Sequence, residues 1–447
     1  MFVARAAQPP AGSFVPENVV RSIVQGHPVP LSRGGRFGAV QASREVAAAE
    51  SGAIRFTVLI LMTAILLQRF AVPLGDQFMS VVGPLGLLYA AIGLARGHLT
   101  LDPGRFAAFL AFCVLAALGS TYALAVKAPW MPEVSWTSLL HFLVLTSFAA
   151  FAFRTPVPEE RFFAAVQSCL AFVAAAGLIQ FVAQFAGLGL FTFAGLLPDA
   201  ILLPGYNTAI PLDFAGLFKS NGFFLVEPSV FSQMMAIALI IEVLYFRRTR
   251  YLVLFPAGLV ASVSGTGWVV LIAFLLQAVL AMGLQGIVIA TATVIAGGAA
   301  LGGLAYALPE VFEGLIGRTD EFNPMGTSGH ERFVTPWWLL DFAYGEAPYA
   351  AFTGLGAGTA ERLPVTYGFA MNVPVKLMIE YGVPALILYV SLFLIARRTR
   401  RQTALVLPVL ALMLFTGGYQ QFPPVLFPAL LLVAVARLRE TEPAARR

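Results

Sequence analysis

The chain has 447 residues, 59% of them apolar and 11% charged, with a mean hydropathy of +0.82. Soluble domains carry about 25% charged residues, so this chain could not cover itself with polar surface and needs lipid as its solvent. The net charge of +5 is no sign of nucleic-acid binding, because the cations sort along the chain as those of a membrane protein do.

The first 53 residues are polar, basic and rich in proline and glycine, which predicts a disordered cytoplasmic tail without a secretory signal. Apolar runs long enough to cross a bilayer as helices follow at 54–74, 78–95, 106–126, 135–153, 162–186 and 228–246. Further runs lie at 251–264, 267–284, 286–308, 373–396, 403–418 and 422–437. The segment 251–284 must turn back at Ser262-Val263-Ser264-Gly265-Thr266-Gly267, since one long tilted helix there would leave eleven spans. Lys and Arg gather on the cytoplasmic side. Twelve spans with both ends inside put 21 of the 28 cations there, a sorting that eleven would break. The fold expected is therefore an all-α integral membrane domain at 54–437 with a cytoplasmic tail at 438–447. Its longest extracytoplasmic loop falls between the ninth and tenth spans.

The seven remaining cations are Arg69, Lys127, Lys219, Arg318, Arg332, Arg362 and Lys376, and 14 of the 23 acids share their side. The two long segments on that side, 187–227 and 309–372, are too long to be idle connections, so the chemistry is sought there. Cys113 and Cys169 lie in separate apolar runs and support neither a disulfide nor a thiolate metal site. His27, His98, His141 and His330 show no metal-ligand spacing.

Three blocks could carry chemistry. In Phe218-Lys219-Ser220-Asn221-Gly222-Phe223-Phe224-Leu225-Val226-Glu227-Pro228-Ser229, Pro228 suits the first position of a helix with Glu227 as its cap. The helix from Pro228 to Phe246 would be about 28 Å long, enough to cross. Its free N–H groups would make an anion site beside Lys219, Glu227, Ser229, Ser232 and Gln233. A carboxylate there could act as a base; the plain alternative is a helix cap with Lys219 at lipid phosphates. In Ser328-Gly329-His330-Glu331-Arg332-Phe333, the Ser-x-x-Glu spacing predicts a helix start. Trp337 and Trp338 would then lie along the membrane interface, and Arg332 could grip a phosphate with two prongs. The alternatives are a snorkelling arginine and, for His330, either a proton acceptor or a solvated bystander. In Asn372-Val373-Pro374-Val375-Lys376-Leu377-Met378-Ile379-Glu380-Tyr381-Gly382, Lys376 and Glu380 stand one turn apart at the start of a span. Such ionisable residues face a cavity or one another. Gly354-Leu355-Gly356-Ala357-Gly358 follows no strand and reads as a turn, not a nucleotide loop.

In this order the three blocks resemble the bacterial O-antigen ligase and polysaccharide polymerase superfamily, in motif over about 210–385 and in topology elsewhere. The Lys219 to Gln233 segment is most similar to the exopolysaccharide repeat-unit polymerases. The ligase pattern has a histidine before the asparagine, where this chain has Met371 before Asn372. The resemblance implies a metal-independent glycosyltransferase without cofactor at the outer face of the bacterial inner membrane. Its substrate would be oligosaccharide on undecaprenyl diphosphate, joined into exopolysaccharide or O-antigen, and flippase and chain-length or export proteins would be its partners. It further implies that Arg332, helped by Lys219, Arg318 or Arg362, holds the diphosphate. Glu227 would orient or deprotonate the acceptor, with His330 as the runner-up. Ser229, Gln233, Asn372, Lys376 and Glu380 would support them. A ligase acting on lipid A-core, a polysaccharide or anion transporter, and a non-catalytic scaffold are the rival readings. A transporter would place charges near the bilayer midplane and show internal repeats, and neither is seen in the sequence.

Overall fold

The computed structural model describes residues 33–74, 77–154, 157–193, 196–204, 209–212, 216–307, 309, 312–313, 328–363, 371–395, 398–415, 430–434 and 438–439. The chain comprises two units, Met1–Ala49 and Glu50–Arg447. In the first, residues 33–49 are helical. Arg44-Glu45 and Ala47-Ala48-Ala49-Glu50 are good helix formers, so helix α1 spans Arg33–Leu66 and starts well before the apolar run.

The remaining elements follow the apolar runs closely. A β1–β2 hairpin (Ala71–Leu74 and Gln77–Ser80) replaces the ends of the first two expected spans. Then come α2 (Val82–Ala95), β3 (Leu99–Leu101), α3 (Pro103–Ala125), α4 (Trp136–Ser147), β4 (Phe151–Phe153), β5 (Val157–Pro158) and α5 (Glu159–Phe185). Helix α6 (Pro228–Ile241) runs into a π-helical turn, Glu242–Phe246. It is followed by α7 (Thr249–Ala261), α8 (Thr266–Met282), α9 (Leu284–Ala307), α10 (Ser328–Phe333), α11 (Thr335–Glu346), α12 (Ala350–Thr353), α13 (Val373–Leu394), α14 (Arg400–Phe415) and β6 (Leu438–Arg439). β3 pairs with β4, and β5 with β6. Most of the expected span 422–437, the tail 440–447 and Arg318 lie outside the described residues.

Among the described residues, five helices are long and apolar enough to cross a membrane: Pro103–Ala125, Glu159–Phe185, Pro228–Phe246, Leu284–Ala307 and Val373–Leu394. The structure is thus mostly helical and consistent with an all-α membrane protein. On α3, Leu110, Val114 and Leu118 are 46%, 58% and 66% exposed, an outward-facing apolar stripe at four-residue spacing. A stripe of this kind would be a liability in water and is ordinary in lipid. Helix α6 differs: all but Leu239 of its residues are buried, with α5, α7, α8 and α14 packed on it.

Two backbone features position the candidate site. First, the chain does turn back between α7 and α8, through Val263 at φ 43°, so 251–284 forms two helices that both pack on α6. Second, α13 is broken at Gly382, whose φ of 82° and ψ of 169° are closed to most side chains. The carbonyls of Ile379 and Glu380 beside the break accept from Leu355 N at 2.7 Å and Gly356 N at 3.0 Å. The glycine turn 354–358 is therefore a buried segment that satisfies the interrupted helix, as irregular backbone inside a membrane domain must.

Candidate functional site

The segment before α6 is held by α5. Ser220 Oγ, with one proton to donate, lies 2.8 Å from Gln180 Oε1 and 2.9 Å from Gly177 O. Gln180 Nε2 donates to Asn221 Oδ1 at 3.1 Å, and the backbone of Phe218 bonds both ends of the Gln184 amide at 2.7 and 3.1 Å. Arg69, fully buried, donates to Phe223 O at 3.2 Å. The sequence reading names neither glutamine; two amides one turn apart in the apolar C-terminal half of α5 are the available signal. In the sequence Arg69 reads only as an outer cation.

Pro228 opens α6 as expected, but Glu227 does not cap it with its side chain, which corrects that reading. The carboxylate turns instead to other groups. Its Oε2 accepts from Ser229 Oγ at 2.7 Å and from Arg332 Nη2 at 3.1 Å. The two charged side chains are 18% and 14% exposed, so the pair is shielded but reachable. Arg332 comes from α10, 105 residues away in sequence. Asn372 fixes its backbone: Nδ2 donates to Arg332 O at 3.3 Å while Oδ1 caps α13 by accepting from Val375 N at 3.0 Å. Glu227, Ser229, Arg332 and Asn372 are thus brought together.

The other candidates fall elsewhere. His330 is buried, with Nδ1 3.2 Å from Thr335 Oγ1 and its ring edge-on to Trp338 at 5.0 Å. Residues two apart on a helix face different ways, and no described hydrogen bond joins His330 to Glu227 or Arg332. Arg362 donates to Gly358 O at 2.8 Å and Glu133 O at 2.6 Å, away from Arg332. Lys219 is half-buried, and no described ion pair brings it to the cluster. Ser232 does not join either: its hydroxyl donates to Ser264 O at 3.0 Å and accepts from Gly267 N at 3.1 Å, tying α6 to the α7–α8 turn. Gln233 is buried one turn below Ser229 and its Nε2 has no hydrogen-bond partner.

A second charged group lies farther along α13. Lys376, wholly buried, pairs with Glu361 at 2.6 Å and with Glu380 at 3.8 Å. The Lys376–Glu380 pair follows from their spacing; Glu361, the nearer partner, comes from a separate segment that no spacing indicates. Nearby, Tyr344 donates to Met378 O at 3.2 Å, and burial pushes its phenol up to about 12, so it remains a donor. Trp337 and Trp338 on α11 are 46% and 53% exposed.

Among the described residues, no three His, Cys, Asp or Glu side chains gather as a metal site would require. Comparison with models of known families and with curated proteins finds no match to the chain.

Proposed function

We propose that the protein is a membrane-embedded glycosyltransferase. It would polymerise undecaprenyl-diphosphate-linked oligosaccharide repeat units at the outer face of a bacterial inner membrane, with twelve spans and both termini cytoplasmic. The observation that carries the reading is the Glu227–Arg332 pair at the mouth of α6, a base candidate and a diphosphate-binding cation held side by side. In the reaction, an acceptor sugar hydroxyl attacks the anomeric carbon of the donor glycan. The carbon–oxygen bond to the diphosphate breaks and its electron pair leaves with the lipid diphosphate. The hydroxyl proton passes to the Glu227 carboxylate. Because the leaving group is already a good one, the protein has to supply position and charge, not activation by a metal. Arg332 supplies the charge, and Asn372 sets where it stands.

In cells, loss of the protein should leave single repeat units on the lipid carrier, seen by mass spectrometry of extracted carrier lipids. Long, unattached polymer accumulating on the carrier would identify a ligase instead. The orientation has its own check. Reporter fusions placed after Gly205 and after Gly345 should be active only in an external, oxidising compartment, and cytoplasmic signal at either site would overturn the site assignment as well.

One observation favours a second reading, a secondary transporter: α13 is interrupted next to the buried Lys376 and Glu380, and broken helices with ionisable residues mark substrate sites in transporters. Reconstituted vesicles decide between the two. Glycan elongation without vectorial movement supports the transferase, and movement of intact glycan without elongation supports the transporter.

A further inference from the structure

Helix α11 keeps its aliphatic residues inside and its aromatic ones outside. Leu339 and Ala343 are buried in one apolar cluster with Val375 and Ile379 of α13. Trp337, Trp338 and Phe342 are exposed, and so are the carboxylates of Asp341 and Glu346. Asp341 follows Trp337 by four residues and Trp338 by three, so the helix sets its carboxylate beside both indoles on the outward face. We infer that this face of α11 is a binding site for the sugar rings of the substrate glycan, taking neutral units with free hydroxyls. The inference rests on the proposed transferase reading.

A sugar ring has a face of C–H bonds and a rim of hydroxyls. The C–H face stacks on the electron-rich face of an aromatic ring, and a hydroxyl donates to a carboxylate, which only accepts. Rings interleaved with carboxylates match both features. Two of the rings are also held in place: His330 packs on Trp338 at 5.0 Å, and Trp130, from the α3–α4 connection, stands against Phe342 at 5.4 Å. Little side-chain freedom is then lost when a ligand stacks on them. A lipid surface is the poorer match. Helices that lie on lipid carry Lys or Arg on their polar face, and α11 has no basic residue. Sinking its aromatic face into lipid would also take Asp341 with it, at the cost of burying a charge. The same carboxylates repel acidic sugars, which selects for neutral ones. Position agrees with chemistry. Val334 alone separates α10 from α11, with Val334 N donating to His330 O at 2.9 Å and Trp337 N to Val334 O at 3.1 Å. The aromatic face therefore continues from Arg332, the proposed diphosphate-binding residue, where the first sugar is attached. At 1.5 Å per residue, α11 extends this face over about 18 Å, room for more than one sugar ring.

The test uses purified full-length protein in detergent. The glycan probe is lipid-linked repeats extracted from cells that lack the protein, and the control is farnesyl diphosphate, a prenyl diphosphate without sugar. Trp337→Ala, Trp338→Ala and Asp341→Asn should each raise the KM for repeats roughly tenfold with kcat little changed, as expected for one lost stacking or charged hydrogen bond. Trp337→Phe, which keeps a ring, should recover most of that loss. All four variants should bind farnesyl diphosphate as the natural protein does. If the natural protein elongates repeats and the first three variants keep its KM, the sugar site is wrong while the transferase reading stands. If the natural protein binds neither repeats nor farnesyl diphosphate, the transferase reading falls and takes the sugar site with it. A measurement on the natural protein alone guards against misfolded variants. Oxidative footprinting of the peptide holding Trp337 and Trp338, read by mass spectrometry, should show several-fold protection by lipid-linked repeats and none by farnesyl diphosphate. Equal protection by both would mean that the rings touch prenyl lipid, and protection by neither that they touch no substrate. Either result overturns the proposal.

Discussion

Arg332→Ala and Glu227→Gln should each reduce polymer formation by at least a hundredfold while the protein still inserts and purifies normally. A two-pronged charged contact that strengthens as the diphosphate leaves contributes roughly 3 kcal/mol, on the order of a hundredfold in rate. Arg332→Lys should fail nearly as badly, since an ammonium offers a point charge where the guanidinium offers a fork. Glu227→Gln is the sharper variant. Its amide oxygen can still accept from Ser229, and α6 loses no cap because Glu227 supplies none. A purely structural Glu227 would therefore predict a small loss of stability and near-normal polymer. His330→Ala is the control, because His330 is packed on Trp338 and bonded near Thr335, apart from the pair. The measurement is elongation of lipid-linked repeats by purified protein, with band ladders quantified against time. Should His330→Ala be inactive and Glu227→Gln active, the base is the histidine.

Much of this arrangement could be read from residue order, and the remainder could not for definable reasons. Runs of apolar residues located eleven of the fourteen described helices, because hydrocarbon leaves the backbone little alternative, and missed α11 and α12 in the segment 309–372. The turn at 262–265 followed from its serines and glycines. Individual groups of the site, Glu227, Arg332 and Asn372, stood out as polar residues in an apolar chain. Their contacts did not, since 105 residues separate the ion pair and only tertiary packing closes that gap. Helix-start statistics also misdirected the role of Glu227: a proline at the first position implies a cap before it, but the stronger attraction of a guanidinium drew the carboxylate away. Lys376 and Glu380 were visible as a pair because one turn of helix sets their distance, whereas Glu361 arrives from a separate segment. Gly382 and Pro384, two residues apart within an apolar run, were the available sign of the break in α13.

The largest stability effect should come from Lys376. Its ammonium is fully buried between Glu361 at 2.6 Å and Glu380 at 3.8 Å. Glu380 is buried as well, and its Oε1 has no hydrogen-bond partner, so Lys376 is the described cation answering its charge. Lys376→Met should therefore leave a buried, uncompensated carboxylate beside the break in α13, a loss of about 3–5 kcal/mol. Glu361 adds less to that cost because its side chain is 43% exposed and can return to solvent. The loss should appear as a much lower temperature of aggregation in detergent, followed by size-exclusion chromatography after heating. Adding Glu380→Leu to Lys376→Met should recover most of it, because removing both members of a buried pair is far cheaper than removing one. A double variant no more stable than Lys376→Met alone would mean that Glu380 is not the group stranded by the loss. The rescued protein also tests what the pair is for. If it folds and still elongates lipid-linked repeats, Lys376 and Glu380 serve to hold the interrupted helix that carries Asn372, and through Asn372 the backbone of Arg332. If it folds but is inactive and still binds farnesyl diphosphate, the buried charges take part in the chemistry itself.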